Sequence, residues 1–409
     1  MAEVSTKDGN CQVPLEDQAP NGWDVAIVGA GPAGSLTAKE LAGKGYRVLL
    51  LDKYRFPRDK VCGDALIPDA IGALRRTQLY ERVRDSAHEV ARASVFSPSQ
   101  IQVSIPGEFL TLRRSVLDSH LALGAVEAGA VFCEGNVTEI EPQGGDAVRL
   151  SVQGLAKTYE ARIAVLATGA KVDLLGQLGM LTRPEPSAVA LRCYISSAID
   201  LDRLIISYDR SVLPGYAWIF PLGNQEYNVG CGVLYQNSKQ RRLNLHTMFD
   251  RFLNGFPQAR ELMRLKRRMT PVRGAPLRCN LTGAEVVGKG MVLAIGESIG
   301  ATFPFTGEGI GKAMETGELA AQAIDRTLES GDFEPLHRFS ARLKLDLLPR
   351  YRAYATAQRW LSQAWLNDLV AWRASKSVYL REAMAGIVAE TSDASDVFSL
   401  KGLWRSMWS

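Results

Sequence analysis

Two hydrophobic patterns alternate along this chain. Asp24-Val25-Ala26-Ile27-Val28 is a short, almost unbroken apolar run, and Val48 to Leu51 is a second. Runs of this length read as strands buried on both faces. An Ala/Leu-rich helical stretch lies between them, so residues 22–53 read as a βαβ unit. Residues 54–68 form a loop punctuated by Pro57, Gly63 and Pro68, and a helix is expected to about Ala87. Ala93 to Pro106 alternates as strands do. Leu117–Gly129 reads as a helix and Val131–Ile140 as one strand ending at Gly144-Gly145. Val148–Val152 and Lys157–Leu166 read as a hairpin that stops at Ala167-Thr168-Gly169-Ala170.

The pattern changes over residues 186–235, which are rich in β-branched and aromatic residues and predict an antiparallel sheet. Met291–Ile295 is another apolar strand. It leads through Gly296-Glu297-Ser298, Pro304 and Gly307 into a helix from about Gly309 to Leu328. The tail from Phe333 to Ser409 is mainly helical. The expected organisation is α/β plus antiparallel β. A nucleotide domain is assembled from residues 22–92, 107–185 and 270–332. A sheet domain comprises 93–106 and 186–269, a helical region spans 333–409, and residues 1–21 form a disordered arm.

The turn after the first strand reads Gly29-Ala30-Gly31-Pro32-Ala33-Gly34, a G-x-G-x-x-G. Gly29 permits a tight turn, Gly31 lets backbone approach a pyrophosphate, and Gly34 lets helix and strand lie close. The helix start then offers free N–H groups to phosphates. Asp52 ends the second strand about twenty residues on, where a carboxylate accepts from ribose hydroxyls. The acid suits FAD or NAD and disfavours a 2′-phosphate. Glycine-rich turns also arise from packing alone, but here strand, spacing and acid agree.

The bulk composition adds exclusions. The 409 residues are 46% hydrophobic and 22% charged, with a formal net charge of +4. That is an ordinary globular make-up, and its scattered basic residues give no case for nucleic acid. No apolar run approaches about eighteen residues, so no membrane span is expected. Lys7, Asp8, Glu16 and Asp17 leave no room for a signal-peptide core near the start. The six cysteines form no C-x-x-C, and the four histidines sit on no motif. Neither a metal site nor a disulfide framework is expected, and reduced thiols point to the cytoplasm.

Later segments carry a resemblance. Arg114-Ser115-Val116-Leu117-Asp118, Ala167-Thr168-Gly169, and Gly296-Glu297-Ser298-Ile299-Gly300 before Pro304-Phe305-Thr306-Gly307-Glu308-Gly309-Ile310 are similar to the FAD framework of the p-hydroxybenzoate hydroxylase superfamily. Lys60-Val61-Cys62-Gly63-Asp64, together with Tyr216-Ala217-Trp218-Ile219-Phe220-Pro221 followed by Gly230-Cys231-Gly232, resembles the signatures of the geranylgeranyl reductase family. The resemblance implies a Rossmann-like FAD-binding domain with an inserted substrate-binding sheet and a C-terminal helical region. It implies hydrogenation of C=C bonds in an isoprenoid or other apolar substrate. The sequence has no second G-x-G-x-x-G for a nicotinamide, so the expected reductant is transiently bound NAD(P)H, an electron-donor protein such as a ferredoxin, or another flavin. FAD contacts are implied at Gly29, Gly31, Ala33, Gly34, Asp52, Lys53, Arg58, Cys62, Gly63, Arg114, Gly296, Glu297, Gly307, Gly309 and Ile310. Tyr216, Trp218 and Phe220 would line the substrate cavity, and Cys62 would act on the substrate side.

Several residues have a second reading. Cys62 also fits a small buried hydrophobe. Tyr216, Trp218 and Phe220 share one strand face, which is either pocket wall or core. Glu297 and Glu308 also fit solvated or capping carboxylates. The family pattern has Gly-Asp where this chain has Gly296-Glu297, and Asp-Gly where it has Thr168-Gly169. Both departures point to a divergent branch. The tail's Trp360, Trp365 and Trp372 are expected as a core-facing stripe. The alternative is a membrane-contacting surface aided by Arg352, Arg359, Arg373 and Lys376. The rival activities are a flavin monooxygenase or halogenase, and a flavin-binding protein without turnover.

Overall fold

The fingerprint folds as its apolar pattern requires. In the computed structural model, which describes residues 11–144, 147–237, 239–304, 306–392, 394 and 397–399, it forms β1 (Trp23–Val28), α1 (Pro32–Gly43) and β2 (Val48–Asp52). β1 and β2 pair in parallel, with Val25 opposite Val48 and Val28 opposite Leu51. Beyond the following loop come β3 (Ala65–Leu66), α2 (Pro68–Arg76) and α3 (Tyr80–Arg84). The single helix expected to Ala87 is interrupted because Gln78 takes a left-handed conformation, φ 60°.

The chain continues as β4 (His88–Phe96), β5 (Gln102–Thr111), α4 (Arg114–Glu127), β6 (Val131–Glu134), β7 (Val137–Gln143), β8 (Ala147–Val152), β9 (Tyr159–Leu166) and α5 (Asp173–Gln177). The one strand expected over 131–140 is two. β6 pairs with β2 at one edge of its sheet and β7 with β8 at the other, so the chain must break between them. It breaks at Gly135, where Leu15, Leu51 and Val152 leave little room for a side chain. The hairpin β8–β9 forms as expected. Gly145 of the preceding turn lies outside the described residues.

Next come β10 (Ala188–Ser197), β11 (Leu204–Ser207), β12 (Tyr216–Pro221), β13 (Glu226–Leu234), α6 (Leu245–Gly255), α7 (Pro257–Arg264), β14 (Lys266–Met269) and β15 (Arg273–Leu277). They are followed by β16 (Val292–Ala294), α8 (Ile310–Ser330), α9 (Glu334–Leu361), α10 (Ala364–Lys376) and α11 (Val378–Val388).

Two sheets result. The first runs β6-β2-β1-β9-β8-β7, with β16 also on β9, and is parallel except for the β7–β8–β9 meander. The second runs β14-β10-β13-β12-β11-β4-β5-β3, with β15 sharing the edge of β10. It is antiparallel as expected, save for the parallel pair β4–β11, whose strands come from distant segments. The short β3, drawn from the loop after the fingerprint, pairs with β5. That pairing carries the loop from the nucleotide domain onto the second sheet.

Two expectations are corrected at the ends of the chain. The first ten residues lie outside the described part, but the rest of the expected arm is ordered. Cys11 and Leu15 are buried, Val13 bridges Cys133, and the Tyr159 hydroxyl donates to the Leu15 carbonyl at 2.7 Å. In the tail, Leu336, Phe339, Leu343 and Leu347 of α9 face inward, and Phe303 stacks on Tyr354 at 4.2 Å. The tryptophans do not form a core stripe. Trp365 is 66% and Trp372 42% exposed, and Trp360 is half-buried. Small residues instead fill the inner face of α10, where Val370, Ala371 and Ala374 are buried. Trp404 and Trp408 lie outside the described residues. No helix among the described residues is long and apolar enough to cross a membrane.

Candidate active site

A cavity of about 1130 Å³ runs from the start of α1, past the Lys60–Asp64 loop and the aromatic face of β12, to the undersides of α10 and α11. Both sheets and the tail contribute walls. Every cofactor and substrate position expected from the sequence, apart from Gly34 and Gly296, lines this one space.

At the nucleotide end, close packing makes the turn. Gly29 has φ +108°, and a Cβ there would collide with the Ala167 carbonyl. A Cβ on Gly34 would collide with the Gly29 carbonyl. Gly31 is the N-cap of α1 and has no side chain to bond its first-turn N–H groups, which are left for a ligand at the cavity. A Cβ on Gly31 would meet nothing nearer than the Arg58 guanidinium at 3.9 Å. Asp52 Oδ2 accepts from Ala30 N–H at 3.0 Å and lies 3.3 Å from Arg58 Nη2, while Oδ1 accepts from Tyr54 N–H at 3.1 Å. Lys53 reaches back over the Tyr54 ring. An uncapped helix start, a cradle without a Cβ, a nearby guanidinium and a carboxylate at a strand end fit FAD.

Arg114 is buried and clamps Asp118 with two bonds of 2.8 Å, and Arg58 reaches the same carboxylate at 3.0 Å. Burial pushes the Asp118 carboxyl up, but the two guanidinium groups outweigh it and hold it below its ordinary range. Farther along, Gly296 (φ +66°) packs where a Cβ would fall 2.9 Å from Ala33 Cβ. Glu297, the departure from the family pattern, takes Lys60 Nζ at 2.9 Å. Gly307 (φ +68°) has no room for a Cβ beside the Tyr216 hydroxyl, which donates to the Thr306 carbonyl at 2.7 Å. Gly309 abuts Thr302, and Ile310 opens α8. Phe305 lies outside the described residues.

The amide of Asn228 is among the groups that fasten the Lys60–Asp64 loop to the second sheet. Asn228 of β13 donates to the Cys62 carbonyl and to Asp64 Oδ2, both at 2.8 Å, and accepts from Trp218 Nε1 at 2.8 Å. Tyr194 adds its hydroxyl to Asp64 Oδ2 at 2.7 Å. The Tyr194 ring lies against two guanidinium groups, Arg113 at 4.2 Å and Arg192 at 4.3 Å. Gly63 brings the loop to the aromatics, since a Cβ there would lie 3.3 Å from Phe220 and 3.7 Å from Trp218. Tyr216, Trp218 and Phe220 form a ladder with centroids 6.0 and 6.3 Å apart. Gly230 admits the Trp218 ring across β13, where any side chain would collide with it. The ladder is thus both packed and cavity-lining. Burial raises the Cys62 thiol above its ordinary pKa, so it stays protonated.

Sequence reasoning missed Asn228, Tyr194 and Arg192, and the ceiling made by Val370, Ala371, Met384 and Ile387. A lone Asn inside the apolar strand Tyr227–Leu234 was a readable signal. The ceiling had none, because small apolar residues on a helix look like any core face.

Two outcomes follow from this geometry. Gly31→Val fills the cradle and should remove bound FAD, read as loss of flavin absorbance from purified protein. Asp64 is fully buried with φ 63°, and burial raises its pKa to about 6 against the bonds from Tyr194 and Asn228. The unfolded value is about 3.9. Between the two the folded chain binds more protons, so this group adds stability as the pH falls. The wild type should therefore gain stability relative to Asp64→Asn as the pH falls from about 7 to about 5, measured by urea denaturation.

A model described as "FAD binding domain" matches residues 22–196, and one described as "Geranylgeranyl reductase catalytic domain" matches residues 187–268. A menaquinone reductase of Mycobacterium tuberculosis is 33% identical over 326 residues, covering 74% of this chain and 76% of that protein. A digeranylgeranylglycerophospholipid reductase of Methanoculleus marisnigri is 30% identical, covering 76% of this chain and 79% of its own. Among solved structures, a geranylgeranyl bacteriochlorophyll reductase-like protein of Thermoplasma acidophilum shares the fold with TM-score 0.73 at 21% identity, over 94% of this chain and 95% of that one. A flavin-dependent brominase shares it with TM-score 0.72 at 20% identity, over 94% and 96%. The fold is common to reductases and halogenases, but the sequence match is to reductases: this chain belongs to the geranylgeranyl reductase family of FAD-dependent oxidoreductases.

Proposed function

We propose that this enzyme reduces C=C bonds in the prenyl chain of a lipid or quinone. The observation that carries the reading is the ladder of Tyr216, Trp218 and Phe220 along one apolar cavity that is continuous with the FAD end. Two of its relatives are named for menaquinone and for digeranylgeranylglycerophospholipid, which supports a prenylated substrate. The halogenase reading draws on fold alone, and the Tyr216-x-Trp218-x-Phe220-Pro221 signature with Cys62 favours the reductase.

Reduced FAD, when bound, supplies the hydride for one alkene carbon. The chain's own residues do the rest. Aromatic rungs hold an apolar chain with little loss of rotamer entropy and fix which bond is presented. The ceiling of Val370, Ala371, Met384 and Ile387 excludes water. Cys62, held in place by the bond from Asn228 to its carbonyl, offers a protonated thiol for the second carbon. The reductant is NAD(P)H or an electron-donor protein that docks transiently. α10 presents Trp365 and Trp372 outward while its other face roofs the cavity, and Lys376 lies over the Trp372 ring at 4.5 Å. That pairing suits a helix resting on an anionic bilayer from which a lipid substrate is drawn.

Anaerobic incubation with reductant and a panel of prenylated quinones and lipids should give products heavier by two hydrogens per bond. Gain of oxygen or, with halide and air, of halogen would sink the reading. Trp218→Ala should weaken substrate use at unchanged FAD content. Cys62→Ser should slow alkene reduction by roughly 10²-fold or alter how many bonds are reduced, with near-normal flavin reduction. Replacing Trp365 and Trp372 together by Ala should release the protein from phosphatidylglycerol vesicles in a sedimentation assay while leaving FAD content intact.

A further inference from the structure

Glu308 stands between Gly307 and Gly309 in the cavity-lining loop ahead of α8. Asp69 of α2 approaches it across the first turn of α8. Gly311 makes that approach feasible, because a Cβ there would overlap the Asp69 carboxylate. Asp69, Glu308 and Glu390, just beyond α11, bring one oxygen each within 4.8 Å of one another. The cation such a group invites is already supplied by Lys312. Its side chain is 2% exposed, and Nζ lies 2.6 Å from Glu315 and 2.7 Å from Glu390, but 3.7 Å from Asp69 Oδ2. Arg350 of α9 holds Glu390 at 3.0 Å, and Arg76 of α2 is engaged with Glu318 at 2.7 Å. Tyr351 and Tyr354 of α9 face the cluster as neutral phenols.

Asp69 Oδ2 and Glu308 Oε1 are both buried, and no N–H or O–H of a neighbouring residue reaches either in hydrogen-bond geometry. The Asp69 side chain is only 5% exposed. A carboxylate can only accept, so two buried carboxylate oxygens within 4.8 Å of each other repel unless one carries a proton. With a proton, the O–H of one donates to the other and both orphaned oxygens are satisfied. The local charge agrees. Asp69, Glu308, Glu315 and Glu390 oppose Lys312 and Arg350, an excess of acid that one bound proton reduces. Burial, then the Asp69 charge, raise the Glu308 pKa well above the ordinary carboxylate range.

Resting on the reductase reading above, we propose that Asp69 and Glu308 share one proton and form the store from which the substrate's second hydrogen is replenished. In each turnover the C=C π bond breaks. One carbon gains the hydride and the other gains the Cys62 proton. The Cys62 thiolate recovers its proton from the carboxyl pair, and the pair recovers one from water. Cys62 packs on the apolar cluster that contains Ala70 and Ile310, the near neighbours in sequence of Asp69 and Glu308. Asp69, Glu308 and Cys62 all line the one cavity.

The test has a readout that needs neither substrate nor flavin turnover. The infrared spectrum of the wild type at pH 7 should contain a protonated-carboxyl C=O band that shifts in D2O, and Glu308→Gln should abolish it. Glu308→Gln should also cut multiple-turnover alkene reduction by roughly 10²-fold and steepen its loss toward high pH, while FAD content and flavin reduction stay near wild type. Asp69→Asn keeps a polar partner for Glu308 and should reproduce the kinetic defect, so a fold defect in one variant does not decide the matter. Absence of the band in the wild type, or undiminished product formation by Glu308→Gln, would overturn the proposal. Failure of the reductase reading looks different: the wild type adds no hydrogens to any prenylated substrate although the band is present.

Discussion

One buried carboxylate sets the geometry of the active site. Asp64 sits at φ 63° with no solvent, and a charge there must find donors or lose its ionisation. It finds the Arg114 N–H at the start of α4, the Tyr194 hydroxyl on β10 and the Asn228 amide on β13. Its own carbonyl accepts from Leu112 at 2.9 Å. A single side chain thus joins the nucleotide domain to two strands of the second sheet. The Lys60–Asp64 loop then has one place to lie, and Cys62 is delivered to the cavity wall.

The cavity owes its shape to missing side chains as much as to present ones. Gly63 lets the loop rest on Phe220 and Trp218, Gly230 lets the Trp218 indole cross β13, and Gly307 makes room for the Tyr216 hydroxyl. Each removes one Cβ where two layers meet, so aromatic rings fill the space instead. Because interiors pack to near-crystalline density, these absences fix ring positions tightly. The Glu297 departure fits the same logic. Its longer side chain reaches Lys60, so the residue that differs from the family pattern also ties the turn after β16 to the cysteine loop.

The tail closes what the sheets leave open. Phe303 anchors α9 between Tyr351 and Tyr354, and Asp368 of α10 accepts from Ser97 and Ser99 between β4 and β5. Lys312 and Arg350 hold Glu390 at the far end. Apolar helices fastened by polar contacts at both ends roof the cavity. The same helix turns two tryptophans outward. A core-facing stripe fails there because a helix roofing a cavity has no room for large rings on its inner side.

Local chemistry alone fixed the nucleotide half of this protein. The apolar runs of β1 and β2, the glycines at 29, 31 and 34, and Asp52 have one stable arrangement, since strand burial and turn sterics act over a few residues. The β12 signature likewise announced an aromatic face, because strand geometry forces period-two alternation. Spacing could not say that β3 would carry the cysteine loop onto the second sheet, or that Asn228 would hold it there. Nor could it say that Asp69, Glu308 and Glu390 would meet around Lys312. Those contacts join residues from about forty to more than three hundred positions apart, from Asp69 to Glu390 the farthest. Whether a polar group so placed is ionised, shared or satisfied depends on what folding brings beside it, and that was decided only when the two sheets and the tail closed on one cavity.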